Sequence, residues 1–201
     1  FPTRRSSDLI SNGRHPAEAV QDPDKKLAFG GRLELTTPWA GSIKLGMSVY
    51  SGRSTGLAAN VLATPVSFDE VAYAADAVWQ RGGLLAQAEV MGRSHRYLVG
   101  QRPVSMSGFV PNGRDLGSYA LVGYRFDRLA HVMPFALHEF YRPVERLLFD
   151  RVHAVSVGFN FRPAATVVLK AMGTAGRAEG SGTLGALDRV YAVTTQAAWV
   201  F

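Results

Sequence analysis

The sequence of 201 residues contains no cysteine and no long uninterrupted apolar run. Without cysteine, disulfide frameworks, thiolate metal sites and cysteine nucleophiles are excluded. Without a long apolar run there is no transmembrane helix, which needs about 20 consecutive apolar residues. Glycine-rich phosphate loops and spacings typical of metal ligands are also missing. The sequence therefore predicts no cofactor and no metal.

Charge is modest and dispersed, with a formal net value of +6 at pH 7. The basic residues do not gather into the stripe expected for nucleic-acid binding. For catalysis, the adjacent pair Ser94 and His95 would point to opposite faces of a strand. The other four histidines have no evident partner along the sequence. We therefore expect no enzymatic activity and no nucleic-acid partner.

Residues 1–9 read FPTRRSSDL and resemble the translated end of a common sequencing adapter. We therefore leave them outside the predicted fold, as one would a fusion scar. Setting aside Arg4, Arg5 and Asp8 removes a net +1 and leaves +5. Residues 10–26 are polar and turn-rich, so the domain organisation predicted is an artefactual N-terminus plus loop (1–26) and the C-terminal part of one β-domain (27–201). We expect a signal peptide and further strands to be missing upstream.

Apolar and polar residues alternate along most of the chain, most clearly in the C-terminal stretch LDRVYAVTTQAAWVF. Period-two alternation is typical of a strand with two different environments on its faces. Tyr191 and the pair Trp199 and Phe201 stand at opposite ends of one face. This ending resembles the C-terminal signature of bacterial outer-membrane β-barrels, in which the last strand is recognised by the barrel-assembly machinery. The resemblance implies that Trp199 and Phe201 form an assembly signal.

Similar alternation predicts about nine strands, whereas complete bacterial barrels have even numbers. The predicted strands are 27–37, 42–50, 71–80, 84–92, 117–126, 131–141, 151–161, 166–172 and 190–201. In the sixth strand the phase is ambiguous between His138 and Glu139, and we favour Glu139 on the inner face. The connections alternate between short turns and longer ones at 51–70, 93–116, 142–150 and 174–186. Short periplasmic turns and longer outer loops are typical of outer-membrane barrels, so the predicted fold is an antiparallel transmembrane β-barrel, all-β and truncated.

Four segments in roughly the last ninety residues resemble the C-terminal region of bacterial phosphate-selective porins. They are GYRF at 123–126, PFA-x-x-E at 134–139, GFNFRP at 158–163 and VVLK at 167–170. The resemblance implies a porin-like barrel. It does not extend to the family's anion-binding residues, so it implies nothing about phosphate.

Inward-facing positions would line the pore of such a barrel. The candidates are Arg32, Glu34, Lys44, Asp76, Gln87, Glu89, Arg125, Glu139 and Lys170. Four basic residues face four acidic ones, so strong anion selectivity is not expected, because selective rings carry one sign. Such charges also occur simply as wall residues paired across strands.

The predicted function is passive diffusion of small hydrophilic solutes or ions through a water-filled channel in the bacterial outer membrane. The C-terminus would be periplasmic, and the partners would be outer-membrane lipid, the assembly machinery and the solutes. The alternative is a narrow or plugged barrel acting as an adhesin, anchor or assembly partner. Strand number separates the two, since wide barrels leave a channel and eight-stranded ones do not. Oligomeric state is left open, a homotrimer included.

Overall fold

The computed structural model describes residues 3–11, 27–56, 66–100, 112–127, 131–144, 150–164, 166–180 and 189–199. Regular structure in these residues is entirely β. The ten strands are β1 Thr3–Ser11, β2 Ala28–Thr37, β3 Ser42–Gly56, β4 Val66–Arg81, β5 Leu84–Tyr97, β6 Asn112–Tyr124, β7 Met133–Arg142, β8 Arg151–Ala164, β9 Val167–Glu179 and β10 Val190–Trp199.

All ten strands form one sheet in which each strand lies beside its neighbour in sequence. Every pairing is antiparallel. The predictions of an all-β chain and of nine antiparallel strands from residue 27 onward are thus confirmed. Within the described ranges β1 and β10 are the two edges and do not pair, so the sheet is an open meander rather than a closed barrel.

The strand β1 covers residues that the sequence analysis had left outside the fold. Thr3–Ser11 pairs with β2 from Thr3 opposite Thr36 to Ser11 opposite Ala28. A polar segment is able to add here because the edge of a sheet offers unpaired N–H and C=O groups to any extended backbone. Side-chain alternation is not needed for that pairing.

Several strands run further than predicted, into stretches taken for long connections. β3 and β4 remain paired as far as Gly56 and Val66, and β5 and β6 as far as Arg96 and Asn112. The same holds for β9, which reaches Glu179. At these ends glycine and charged residues replace apolar ones, so the alternation fades although the backbone ladder continues.

Connections between strands divide the sheet into two ends. The short-turn end carries the turns at 38–41 and 82–83 and the first residues of β7 and β9, and the opposite, long-loop end carries the last residues of β3, β5, β7 and β9. In the first turn Ala40 and Gly41 have φ of 53° and 118°, and Gly82 has φ of 56° in the second. Glycine adopts these left-handed conformations without steric cost. The predicted turn 162–165 instead lies largely in β8, with a register shift between Phe161 and Ala164.

Register assigns the strand residues to two faces, because directly paired residues share a face. The apolar face holds Leu33, Leu45, Trp79, Val122, Phe159 and Trp199. The polar face holds Arg32, Lys44, Asp76, Gln87, Glu139 and Lys170. The phase favoured for β7 is therefore observed, with Glu139 opposite Tyr119 on the polar face and His138 opposite Ala120 on the apolar one.

Burial is inverted relative to a water-soluble sheet. Among the described residues the buried hydrophobic side chains are only Ala28, Phe135 and Val144. On the apolar face Met47 is 66% exposed and Val157 is 61% exposed, whereas Ser156 on the polar face is 1% exposed. No second layer of the described chain covers the apolar face. Soluble domains instead bury such a face against another element.

Candidate pore-lining face

Four of the predicted pore-lining residues stand in one line across the polar face. Pairing runs from Glu34 through Gly46 to Asp76, and from Asp76 through Glu89 and Tyr119 to Glu139. The line, termed the acidic row, thus brings together carboxylates that lie far apart in sequence. The basic candidates Arg32, Lys44 and Lys170 belong to other rows of the same face.

Arg32 reaches across a whole strand to neutralise one member of the acidic row. Its Nη1 lies 2.7 Å from Oδ1 of Asp76, and its Nη2 donates to Oδ2 at 3.0 Å. Glu34 is a more distant partner at 3.8 Å. The bidentate geometry passes over Gly46, where an added Cβ would collide with both side chains. Gly46 is therefore required for this ion pair, since any other residue must displace it.

Tyr119 and Gln87 occupy the middle of the same face. Nε2 of Gln87 donates to the Tyr119 hydroxyl at 2.5 Å. Glu89 lies directly opposite Tyr119 in register, so these side chains form a continuous hydrogen-bonding surface next to the acidic row. Tyr119 is not among the pore-lining residues predicted from the sequence.

The remaining basic candidates differ in their surroundings. Lys44 is exposed, and Nζ of Lys170 lies 5.3 Å from the centroid of the Phe135 ring, a cation–π arrangement. Arg125 lies one residue beyond the end of β6, where its Nε donates to Asp127 at 2.7 Å. This hydrogen bond, with the charge of Arg125, lowers the pKa of the Asp127 carboxyl from its usual value. Arg125 thus stands in a turn at the short-turn end and not within the strand lattice.

A second polar cluster near the long-loop end of the same face was missed. Arg93 pairs with Asp115, with Nη2 to Oδ2 at 2.5 Å, and lies 3.9 Å from Glu70. The other oxygen of Asp115 accepts the backbone N–H of Val144 at 2.8 Å. Sequence reasoning placed these residues in loops because the alternation had ended before them. One rule could have found them: two antiparallel strands that pair with each other must extend over the same length.

Ser156 on the polar face is packed against its neighbours. Its hydroxyl lies 2.7 Å from that of Thr174, and the residue is 1% exposed. Since no space remains for a longer side chain, arginine at this position would have to displace its neighbours.

Ser94 and His95 lie on opposite faces of the sheet. Ser94 lies opposite Val71 on the apolar face, and His95 lies opposite Glu70 on the polar face. The two side chains therefore point away from each other. Among the described residues no group of three or more histidine or acidic side chains is arranged to hold a metal ion.

Aromatic residues border the apolar face at the short-turn end. We call them the aromatic belt: Trp79, Tyr124, Phe126, Phe159, Phe161 and Trp199. Trp79 donates from Nε1 to the backbone oxygen of Ala40 in the adjacent turn at 3.0 Å. Trp199 is 65% exposed at the end of β10, whereas the other half of the predicted assembly signal, Phe201, lies outside the described residues.

Arginines border the same face at the opposite, long-loop end. This arginine belt consists of Arg53, Arg96, Arg114, Arg142, Arg151 and Arg177. Arg53 shares its row with Asn112, whereas Arg177 shares its row with Ser118, which lies six residues further along β6. Between β3 and β9 the belt therefore shifts by six residues towards the short-turn end, or by one residue per strand.

The aromatic belt descends in parallel. The row that starts at Trp79 on β4 crosses the sheet to Val193 on β10, six residues before Trp199. Six residues over the six strands from β4 to β10 again give one residue per strand. The two borders of the apolar face thus share one slope.

No protein-family model, no curated protein and no solved structure matches this chain. No helix among the described residues is long and apolar enough to cross a membrane.

Proposed function

We propose that this chain forms part of the wall of a porin-like β-barrel in the bacterial outer membrane. The barrel acts as a water-filled channel for small hydrophilic solutes or ions. The observation that carries the proposal is the uncovered apolar face between two belts. Full burial of one Val, Leu or Phe side chain is worth about 1.5–3 kcal/mol. A sheet that exposes many of them to water would aggregate, whereas lipid covers them without a second protein layer.

The common slope of the belts supports a tilted barrel wall. One residue of about 3.4 Å per strand spacing of about 4.8 Å corresponds to a tilt of about 35°. Strands of outer-membrane barrels are tilted by about 35–45°. When the strands are tilted by this angle, each belt that follows the slope lies at a constant depth in the membrane.

The separation of the belts matches the thickness of a membrane. The row of paired residues that contains Arg53 and Arg96 crosses β4 at Asp69, and Trp79 lies ten residues further along this strand. Ten residues extend about 34 Å, or about 28 Å perpendicular to the membrane after the tilt. The apolar band of outer-membrane barrels is about 25 Å tall.

Two features of the apolar face depart from a uniform lipid contact. His138 and His153 lie on it with their ring centroids 5.9 Å apart. Within the described residues, the outer edges of β1 and β10 also have no neighbouring strand. In a bilayer such edges have to be paired with other strands, because lipid offers no hydrogen bonds.

The polar face supplies the wall of the channel. Its charged and hydroxyl groups would be costly against lipid, but they suit a lumen filled with water. Arg32 neutralises only one carboxylate of the acidic row, that of Asp76, so the negative charge of the row is only partly compensated. Lys44 and Lys170 lie in other rows of the same face. This distribution agrees with a channel that lacks strong preference for anions.

Planar-bilayer recording of the intact protein tests this function. Stepwise conductance with a reversal potential near zero or on the cation side in a salt gradient is expected. Stable insertion into vesicles without any conductance would contradict the channel and favour a plugged barrel. Failure to insert into any bilayer, judged by protection from protease, would contradict the membrane assignment itself.

A further inference from the structure

The arginine belt holds more positive charge than its own face neutralises. Arg53 pairs with Asp69 at 2.7 Å, and Arg151 pairs with Glu179 at 2.5 Å. Arg177 lies 3.8 Å from the same Glu179. The other three members, Arg96, Arg114 and Arg142, are exposed and make no ion pair with the described part of the chain. An excess of guanidinium groups thus points outward at this border.

Arg96, Arg114 and Arg142 form a line across neighbouring strands. Arg96 on β5 lies opposite Asn112, two residues before Arg114 on β6. Arg142 on β7 lies opposite Leu116, two residues after Arg114. Each is therefore a diagonal neighbour of the next, at about 7–8 Å between backbones. Two long side chains at this spacing are able to converge on one anion between them.

The residue type narrows the chemistry of that anion. Every member of the belt is arginine, whose planar guanidinium binds phosphate through paired hydrogen bonds. At the short-turn end the border is instead aromatic, which suits a headgroup layer of any charge. The two borders of the apolar face are thus chemically different, and the guanidinium groups at the long-loop end suit phosphate and other oxyanions.

We infer that the arginine belt binds phosphate groups of anionic lipid headgroups in the leaflet at the long-loop end. The inference rests on the proposed function, because the belt meets headgroups only if the apolar face lies in a bilayer. The charge is complementary: a phosphate oxygen shared by Arg114 and Arg142 would replace the water that these groups otherwise bind. Free inorganic phosphate offers the same chemistry, and the test separates the two sources.

The experiment measures lipid preference of the full chain inserted in phosphatidylcholine vesicles. Spin-labelled phosphatidic acid and spin-labelled phosphatidylcholine are added in turn, and the fraction of each that is immobilised at the protein surface gives their relative association constants. The wild type should prefer phosphatidic acid several-fold, with roughly a fivefold effect for one arginine near the headgroup layer. The double variant Arg114→Gln with Arg142→Gln should lose most of this preference.

A matched control carries two substitutions at the other end of the sheet, Arg81→Gln with Arg162→Gln. Both arginines are exposed near the short-turn end, so the control should keep the preference. Equal preference in wild type and belt variant would overturn the inference. Loss of preference in millimolar inorganic phosphate, but not in sulfate of equal ionic strength, would assign the belt to free phosphate and overturn the lipid source.

Insertion separates this inference from the proposed function. If phosphatidylcholine is immobilised but phosphatidic acid is not preferred, the inference about the arginine belt is overturned and the proposed function is not. Absence of immobilised lipid of either kind would overturn both. If the double variant does not insert, Arg142→Gln alone replaces it, with about a fivefold loss of preference expected.

Discussion

Val157 offers the sharpest test of the membrane assignment. It lies on the apolar face of β8, six residues from Arg151 in the arginine belt and four from Phe161 in the aromatic belt. It is 61% exposed, and Gly173, its partner on β9, leaves the space beside it open. Val157→Arg would therefore place a guanidinium near the midplane of the proposed bilayer without a clash inside the sheet.

The expected cost depends on what covers this face. At the midplane of an outer-membrane barrel, arginine on the lipid face costs about 2–4 kcal/mol of unfolding free energy. At a water-exposed position the same change usually stays within about 0.5 kcal/mol. Urea titration of the chain in phosphatidylcholine vesicles, followed by tryptophan fluorescence, measures the difference.

Gln87→Arg is the matched control, because it adds the same side chain to the polar face. Gln87 already donates to Tyr119 at 2.5 Å, and Glu89 lies two residues away on the same face. Arginine keeps a donor there and meets acidic neighbours, so a change within about 0.5 kcal/mol is expected. If Val157→Arg costs no more than Gln87→Arg, the apolar face does not contact lipid and the reasoning fails.

Four further predictions concern other parts of the wall. Gly46→Val should displace the Arg32–Asp76 pair and cost about 1–3 kcal/mol in the same titration, whereas Gly173→Ala, with nothing within 4 Å of the added Cβ, should stay within about 0.5 kcal/mol. Asp76→Asn removes one carboxylate and releases Arg32, so the reversal potential should move towards anions; an unchanged potential would place Asp76 outside the conduction path. His138→Leu should leave insertion intact or improve it if the residue faces lipid, and a marked loss of insertion would indicate a polar partner. Deletion of Phe201 should lower the amount in the outer membrane without changing the conductance of inserted copies, whereas equal amounts for wild type, deletion and Phe201→Leu would reject an assembly signal.

Alternation alone predicted the strands of the middle of the sheet and the face of each residue. It was sufficient there because side chains of a strand point to opposite faces with period two, so Leu45 and Lys44 could be assigned without any coordinates. In the strand that contains His138 and Glu139 alternation left the phase ambiguous, and the phase we favoured, with Glu139 on the polar face, is the one observed. The ends of β3, β5 and β9 escaped alternation, because beyond the apolar band the same ladder is held by backbone hydrogen bonds alone and leaves no pattern.

Relations between strands required the tertiary structure. In sequence the arginines are dispersed, and the candidate pore residues counted as four basic against four acidic. The register gathers Arg96, Arg114 and Arg142 at one border of one face, and it aligns Glu34 with Asp76, Glu89 and Glu139. Such lines depend on how far each strand is shifted against the next, and one residue of slip would turn every side chain of that strand to the other face. The sequence determined which residues share a strand face, whereas the hydrogen-bonded register decided which of them become neighbours.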